Sequence, residues 1–317
     1  MDKKKTDKKR MSGGRRSNHK RPLEDFAQRP EEVREAAPAV LPEDFLSLLA
    51  DIFSENGIVI PKGSGSEDGS LLHGNGTVKP GRPDTEDTNY MVLRNLSNFA
   101  AILIEKNSLF NLTAIKEPEE IALLHFADSL KISDDIPKGA RVLDIGSGAG
   151  FPAVPLAIAR PDITVIALDS TGKKVDFINS AANQLELSNL SAVCGRAEEL
   201  LSTVIAQNHI AGIDRGSFDI VTARAVADLG ILYEICFPAL RTGGTFIAMK
   251  AEKGREEFSR GSTHFSRLGG NEGRISEYTL KHKEKTYSRS IITVTKIKET
   301  PAIYPRSYGN IRKKPLF

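Results

Sequence analysis

The chain has 317 residues, of which 39% are hydrophobic and 27% are charged. This composition can bury a core and excludes a wholly disordered protein. No stretch approaches the roughly 20 consecutive apolar residues of a membrane-spanning helix, and no apolar run follows the lysine-rich start as in a secretory signal. Cys194 and Cys236 both lie in apolar runs and cannot form a disulfide framework, so we expect a reducing, cytoplasmic location.

The net charge of +3 conceals a strong asymmetry along the chain. Residues 1–22 contain ten Lys and Arg against two Asp, a net +8, and residues 306–317 contain four Lys and Arg and no acid, a net +4. The residues between these ends therefore carry a net −9. Cationic ends favour binding to a polyanion, above all nucleic acid, because binding releases counterions. A solubilising, disordered tail is the alternative that charge alone leaves open.

The sequence divides into four regions of different texture. Residues 1–40 combine Lys/Arg runs with Gly and Pro and show no hydrophobic periodicity, which predicts a basic, disordered leader. Residues 41–135 are predicted to form a helical N-terminal region, interrupted by a flexible insertion at 61–89 that is rich in Gly, Ser, Pro and Asp. Residues 136–300 are predicted to form the main domain, and 301–317 a basic C-terminal tail.

Helical periodicity marks three segments of the N-terminal region. The first begins near Pro42, a favourable first-turn residue, and ends before Gly57. Its apolar face is formed by Phe45, Leu48, Leu49 and Ile52. The same spacing resumes with Val92, Leu96, Phe99 and Leu103, and again from Pro118 through Ile121, Leu124 and Leu130.

From residue 140 onward, short apolar runs alternate with amphipathic stretches. The runs lack the polar alternation of half-exposed strands, which is typical of parallel strands buried on both faces. They are RVLDI, TVIALD, LSAVC, FDIVTA and GTFIAMK. The runs ISEYTL and IITVTKI near the end predict an antiparallel pair that closes the sheet. This order predicts an α/β fold with a doubly wound, mostly parallel sheet.

The segment directly after the first predicted strand is rich in glycine. Gly146, Gly148 and Gly150 allow the backbone to turn sharply and to approach a ligand closely, so all three are candidate cofactor-binding residues. The dinucleotide pattern G-x-G-x-x-G would require glycine at Phe151, so this loop disfavours a nicotinamide cofactor. Asp144 at the strand end suits a ligand with an ammonium and a sulfonium group. That ligand is S-adenosylmethionine.

Acidic residues follow the next two strands. Asp169 ends the second strand, where a carboxylate accepts hydrogen bonds from ribose hydroxyls, although a nicotinamide cofactor would use the same contact. After the third strand, Glu198 is expected to reach an adenine amino group and Ala197 to offer an apolar contact. Each residue has a structural alternative, because acids also cap helices and stabilise their first turns.

Several kinds of chemistry are disfavoured by the residues present. No Asn/Asp-Pro-Pro-aromatic tetrad, no Pro-Cys pair and no metal-ligand spacing occurs in the sequence. His125 is interpreted as packed or solvated rather than catalytic. An acceptor that needs no general base fits this set, and guanine nitrogen-7 (N7) is one because its lone pair is free at neutral pH. The enzyme then contributes positioning and electrostatics, and the target base should be unpaired or splayed out.

Several motifs together carry a family resemblance that covers roughly residues 41–60 and 90–317. The motifs are Phe110-Asn111-Leu112-Thr113, His125-Phe126-Ala127-Asp128-Ser129, DIGSGAGFP from Asp144, Leu168-Asp169-Ser170, Arg196-Ala197-Glu198-Glu199, Ala223-Arg224-Ala225, Lys250, and Tyr304-Pro305-Arg306 with Lys313-Lys314-Pro315-Leu316. The chain resembles the RsmG family, also called glucose-inhibited division protein B. Its members are 16S ribosomal RNA guanine-N7 methyltransferases with a Rossmann-like, class I S-adenosylmethionine-dependent fold.

The resemblance implies roles for individual residues. Cofactor contacts would fall on Gly146, Phe151, Ala197, Glu198 and Arg224. Arg224 and Lys250 follow neighbouring strands and are the candidate catalytic residues. The candidate RNA contacts are Asn111, with Thr113 beside it, and the tail residues Arg306, Arg312, Lys313 and Lys314. Helix capping is the alternative for Asn111 and Thr113, and solvent exposure is the alternative for Lys250.

The resemblance also implies partners. The expected substrate is 16S ribosomal RNA or the small ribosomal subunit, and we expect a monomer without a metal or a membrane contact. The leader and the 61–89 insertion depart from the family pattern without touching a cofactor position. Three alternatives remain open: an RNA-binding module with a vestigial cofactor loop, a methyltransferase of another substrate class, and a nicotinamide oxidoreductase.

Overall fold

Seven strands form one sheet in the order β3-β2-β1-β4-β5-β7-β6. The computed structural model describes residues 41–60, 85–203, 210, 212–224 and 227–317. The strands are β1 Arg141–Ile145, β2 Thr164–Asp169, β3 Leu190–Cys194, β4 Phe218–Arg224, β5 Leu240–Lys250, β6 Arg274–His282 and β7 Lys285–Thr295. β1 to β5 are mutually parallel, and β7 and β6 complete the sheet antiparallel. The predicted fold class is confirmed.

Burial explains why the strands could be read from the sequence. Side chains of β1, β2 and β4 are almost entirely buried along their length, because helices cover both faces of the sheet. The edge strand β6 is instead mostly exposed or half-buried. Uninterrupted apolar runs therefore mark the central strands, and mixed composition marks the edge.

Helices connect the strands and form the N-terminal region. In chain order they are α1 Phe45–Glu55, α2 Thr85–Phe110, α3 Pro118–Glu120, a π-helix Ile121–Ala127, α4 Asp128–Leu130, α5 Ala153–Ala159, α6 Gly172–Gln184, α7 Ala197–Leu200, α8 Leu229–Cys236, α9 Gly254–Gly261 and α10 Tyr308–Lys313. α2 begins within the segment predicted as the 61–89 insertion, so residues 85–89 are helical rather than loop. The leader and the rest of the insertion lie outside the described residues, and the domain boundaries stay a prediction.

Aromatic packing joins the N-terminal helices to the sheet. Phe99 of α2 is fully buried, and its ring centroid lies 6.0 Å from Phe126, 5.6 Å from Phe151 and 6.1 Å from Phe177. These rings belong to one hydrophobic cluster that also contains the predicted apolar face of α1. Phe151 lies in the glycine-rich loop, so this cluster fixes the helical region directly against that loop.

The helical segment after Pro118 departs from regular α-helix at one place. Residues Ile121–Ala127 form a π-helix, where the sequence shows only the spacing of an ordinary helix. In a π-helix the backbone hydrogen bonds join residues five apart instead of four, so the pattern of backbone carbonyls that accept within the helix changes. Such segments are frequent at functional sites. Here the carbonyl of Leu124 accepts a hydrogen bond from the side chain of Arg224, at 2.8 Å. The π-helix thus presents backbone and side chains to the end of β4.

Candidate cofactor and acceptor site

A cavity of about 420 Å³ opens at the carboxyl edge of the parallel strands. It lies where β1 neighbours β4 and the strand order reverses, the position at which doubly wound sheets bind ligands. The loops after β1, β2 and β3 line it, with Leu112 and Thr113 from the N-terminal region. Of the predicted cofactor residues, Gly146, Gly148, Phe151, Asp169, Ala197, Glu198 and Arg224 line this cofactor cavity, and Asp144 and Gly150 do not.

The glycine-rich loop needs its glycines for backbone geometry. Gly146, Gly148 and Gly150 have φ angles of +75°, +59° and +92°, which side chains with a Cβ rarely adopt. At Gly150 there is also no space, because a Cβ there would lie 2.5 Å from Cγ2 of Val154. Gly150 therefore allows the loop to pack closely against Val154 and does not itself line the cavity.

Asp169 at the end of β2 holds the loop and also lines the cofactor cavity. Its Oδ2 accepts from the backbone N–H of Gly148 at 2.9 Å, and its Oδ1 accepts from the backbone N–H of Thr171 at 2.9 Å. A carboxylate has roughly four lone-pair positions, so both oxygens retain the capacity to accept from a ligand. This placement matches the expected contact with ribose hydroxyls and adds a second task that the sequence did not reveal.

Asp144 lies near the end of β1, as predicted, but it is buried and does not line the cofactor cavity. Its carboxylate is fully buried, and Oδ1 accepts from the hydroxyl of Thr222 on the neighbouring strand at 2.9 Å. Burial raises its pKa to about 6, against hydrogen bonds that favour the ionised form. Its Oδ2 has no hydrogen-bond partner among the described residues, and the expected contact with the cofactor stays a prediction. The sequence indicates the strand position of Asp144 but not the contact of its side chain with Thr222.

Glu198 presents an unsatisfied oxygen at the far end of the cofactor cavity. It lies in α7 beside Ala197, both are buried, and both line the cavity. Glu198 Oε1 has no hydrogen-bond partner among the described residues; the closest cation is Nη1 of Arg196, at 3.6 Å. A buried carboxylate oxygen without a partner is costly. It is therefore well placed to accept from a ligand amine, as the sequence predicts for adenine.

Arg224 at the end of β4 is held by the π-helix and the glycine loop. Its Nη1 donates to the carbonyl of Leu124 at 2.8 Å and to Oδ2 of Asp128 at 3.1 Å, and its Nη2 donates to Nδ1 of His125 at 3.0 Å. The guanidinium carbon lies 5.2 Å from the ring centroid of Phe151. Arginine has five N–H donors, so the Nε–H and one Nη2–H are left for a ligand.

The arginine contact fixes the protonation state of His125. Because arginine only donates, Nδ1 of His125 must accept, and the ring proton lies on Nε2, 3.0 Å from the hydroxyl of Thr113. Burial lowers the pKa of His125 well below 6.5, and the charge of Arg224 lowers it further. The ring is stacked on Phe151, with centroids 3.9 Å apart. His125 is packed, as expected, but it also lies between two cavities, which the sequence did not indicate.

The second cavity, of about 650 Å³, adjoins the first, and Arg224 and His125 line both. We call it the acceptor cavity. Lys250, predicted to be catalytic, lines it but is buried, and its Nζ lies 2.7 Å from Glu257 Oε2 and 2.5 Å from the carbonyl of Ala227. Glu257 Oε2 also accepts from the N–H of Leu229 at 2.7 Å. Lys250 is thus tied to the start of α8, which favours a positioning role over direct catalysis.

The tail residue Arg306 is engaged inside the protein. Its backbone N–H, Nε and Nη2 all donate to the carboxylate of Glu234, which is fully buried on α8, at 2.9, 2.7 and 2.5 Å. Nη2 also donates to the carbonyl of Lys314 at 2.9 Å. In the structure Arg306 anchors the C-terminal tail, because a buried carboxylate requires a charged partner, and the expected RNA contact stays a prediction.

The remaining candidate RNA contacts lie on the surface. Arg312, Lys313 and Lys314 are exposed at the end of α10. Asn111 is exposed too, but it follows the last residue of α2 with φ +50°, and its N–H donates to the carbonyl of Asn107 at 3.1 Å. Asparagine at this left-handed position terminates a helix. The capping alternative thus describes what Asn111 does in the structure, and an RNA contact stays a prediction.

Known proteins match this chain over most of its length. The family model described as rRNA small subunit methyltransferase G matches residues 92–287. The chain belongs to this family. Ribosomal RNA small subunit methyltransferase G of Lachnoclostridium phytofermentans is 41% identical over 233 residues, covering 73% of this chain and 92% of that protein. The protein of the same name from Desulforamulus reducens is 42% identical over 217 residues, covering 68% and 86%. The resemblance to the RsmG family is confirmed.

Among solved structures, the fold is similar to that of a SAM-dependent methyltransferase from Aquifex aeolicus. The TM-score is 0.42 and the identity 16%, over 58% of this chain and 97% of that one. This level of similarity carries no information about the substrate.

The cofactor cavity of this family member fits S-adenosylmethionine. Its volume lies in the usual range of roughly 300–1,000 Å³ for small-molecule sites. Asp169 offers acceptors beside the glycine loop, and the unpartnered oxygen of Glu198 is available to an amino group. Within the described residues no cluster of His, Cys, Asp or Glu can hold a metal ion. In the same part of the chain no helix is long and apolar enough to cross a membrane.

Proposed function

We propose that this protein transfers a methyl group from S-adenosylmethionine to N7 of a guanine in small-subunit ribosomal RNA. Family membership supports the reaction class and the RNA substrate. The observation that carries the proposal is the meeting of two cavities at Arg224 and His125, on the carboxyl edge of the sheet. One cavity suits an adenosine-containing donor, and the larger one is open enough for a base turned out of its stack.

When bound, S-adenosylmethionine supplies a methyl group on a sulfonium, which guanine N7 accepts with its lone pair while the carbon–sulfur bond breaks. Asp169 and Glu198 are the residues that would hold its ribose and adenine. Arg224 has two N–H groups left for an oxygen acceptor, such as the cofactor carboxylate. Residues that hold the cofactor in this way would contribute orientation, which is the main contribution an enzyme makes to such a displacement.

The buried titratable groups around the acceptor cavity are already engaged. His125 uses both ring nitrogens, Asp128 accepts from Arg224 and from the hydroxyl of Tyr278 at 2.8 Å, and Glu257 holds Lys250. A carboxylate held in an ion pair, as Asp128 is by Arg224 and Glu257 by Lys250, is a poor general base, and so is an imidazole whose two nitrogens are both hydrogen-bonded. Because N7 carries no proton, this arrangement favours N7 over an exocyclic amine or a hydroxyl.

The test is methylation of small ribosomal subunits from cells that lack this protein. Subunits and separately purified 16S RNA are incubated with labelled S-adenosylmethionine, and the nucleosides are identified by mass spectrometry. We expect label in 7-methylguanosine from at least one of the two substrates. The matched negative control is Asp169→Ala, which should weaken cofactor binding by roughly 1–3 kcal/mol because ribose hydroxyls lose their acceptor. Label in any other nucleoside would refute the assignment to N7.

The cytoplasmic location and the monomeric state remain predictions. The same preparations test the monomer directly, because sedimentation of the free protein gives its mass. The choice between naked RNA and an assembled subunit follows from comparing the two substrates in the same assay.

A further inference from the structure

The C-terminal tail reaches the part of the cofactor cavity that is lined by Glu198, the residue predicted to contact adenine. Tyr308, the first residue of α10, lines this cavity together with Arg196, Ala197 and Glu198. A smaller pocket on the outer side is also lined by Tyr308, Arg196 and Glu198. Tyr308 is 37% exposed, so part of its surface is available to a ligand. Tyr308 has no role in the proposed methyl transfer as described by Asp169, Glu198 and Arg224.

We propose that Tyr308 is a cofactor-binding residue that forms the outer aromatic wall of the adenine site. This inference rests on the proposed cofactor. The guanidinium carbon of Arg196 lies 5.7 Å from the Tyr308 ring centroid, and Nη1 of Arg196 lies 3.6 Å from Glu198 Oε1. Arg196 thus connects the aromatic ring to the carboxylate expected to accept from the adenine amine. An adenine seated between Ala197 and Tyr308 would cover ring surface that is now exposed to solvent.

The tail is held firmly enough for Tyr308 to act as a wall. Arg306, two residues earlier, is bound to the buried carboxylate of Glu234. Ile311, three residues later, is fully buried in the second hydrophobic cluster. Further upstream, Arg215 donates to the carbonyls of Tyr304 and Thr300, at 2.5 and 3.2 Å. Tyr308 therefore lies between two anchored positions, so its ring does not have to be ordered entirely by the ligand.

The experiment measures binding of S-adenosylhomocysteine to the full-length protein by titration calorimetry. Replacing an aromatic ring that stacks on a base by alanine typically lowers affinity by about fivefold to 150-fold. Since the Tyr308 ring keeps one face against Arg196, we expect the lower end, a loss of about fivefold to tenfold in affinity for Tyr308→Ala. Tyr308→Phe keeps the ring and should change affinity less than about twofold. Ile303→Ala is the matched control, because Ile303 is 69% exposed on the same tail and does not line the cavity.

A second ligand locates the contact within the cofactor. 5′-Methylthioadenosine keeps the adenosine and lacks the amino acid, so Tyr308→Ala should weaken it by the same factor as S-adenosylhomocysteine. Arg196→Ala should also reduce affinity, and the double variant should lose less than the two single losses combined, because the side chains act as a pair. Circular dichroism and the melting temperature show whether each variant is folded.

The outcomes separate this inference from the proposed function. If the wild-type protein binds neither ligand, the cofactor assignment itself is wrong. If the wild type binds both and folded Tyr308→Ala binds them equally well, the cofactor assignment stands and the aromatic wall is refuted. Loss of RNA affinity with unchanged affinity for S-adenosylhomocysteine would likewise refute it and would assign Tyr308 to the RNA. A loss with S-adenosylhomocysteine alone would place the contact outside the adenosine and contradict the proposal.

Discussion

The ion pair between Arg306 and Glu234 allows a sharp test of what the tail does. Glu234 is fully buried, and all three of its contacts at 2.9 Å or less come from Arg306. Arg306→Met would leave the carboxylate with a single backbone donor. Breaking a buried pair in this way costs about 3–5 kcal/mol, because an uncompensated charge stays in the interior. For a domain of this size the melting temperature changes by about 2–4 °C per kcal/mol, so we expect a fall of roughly 6–20 °C.

Substitution of the other partner, Glu234, should destabilise the protein less. In Glu234→Gln the side-chain oxygen still accepts from Arg306, whose guanidinium is 27% exposed and can also reach water. The expected cost is about 1–3 kcal/mol, the range for a lost hydrogen bond to a charged group. Combining the two substitutions should give a protein more stable than Arg306→Met alone, because the unpaired charge has then been removed.

Urea unfolding followed by circular dichroism gives the free energy of unfolding of Arg306→Met, of Glu234→Gln and of the double variant. RNA binding is measured at urea concentrations at which each variant is still folded. The reasoning would be refuted if Arg306→Met retained the wild-type midpoint and slope. If the same variant also bound RNA more weakly, Arg306 would be a phosphate contact, as the sequence first suggested.

Three further predictions concern the loop, the histidine and the tail. Gly150→Ala should reduce affinity for S-adenosylhomocysteine at least about tenfold by calorimetry, whereas Gly139→Ala, also at positive φ but with open space, should not. Because the folded state keeps the pKa of His125 well below 6.5, stability should fall as pH drops below about 6.5, where only the unfolded chain takes up this proton; an equally steep slope in His125→Gln would contradict this. Neutralising the exposed Lys313 and Lys314 should flatten the salt dependence of RNA binding, and an unchanged slope would remove them from the interface.

The sheet could be predicted from the sequence because strands that are buried on both faces consist of uninterrupted apolar runs. The run RVLDI matches β1 residue for residue, since every position after the half-buried Arg141 is buried. The glycine-rich loop could be predicted from the sequence as well, because the positive φ angles at positions 146 and 148 favour glycine, and glycine is visible in the sequence. Burial of a strand and a positive φ angle both restrict the residue type at a single position. Each can therefore be predicted from one sequence.

The contacts across the chain could not be predicted in the same way. His125 is 99 residues from Arg224, and Tyr308 is distant from Arg196 in sequence, so no local pattern relates the members of either pair. The direction of Asp144 depends on Thr222 in the neighbouring strand. The π-helix was hidden as well, because its residues have the periodicity of an ordinary helix while its carbonyl at Leu124 is used by a side chain. Tertiary packing decides each of these.

The chemistry proposed here explains why so few charged groups at the junction of the two cavities are left without partners. Methyl transfer from a sulfonium to guanine N7 moves one positive charge from sulfur to the base, and no proton leaves at any stage. An additional cation would repel the donor, and a free base would have no proton to remove. Arg224 is compensated by Asp128, and His125 is kept neutral by burial and by its hydrogen bond from Arg224. The junction is therefore built to position two reactants rather than to exchange protons with them.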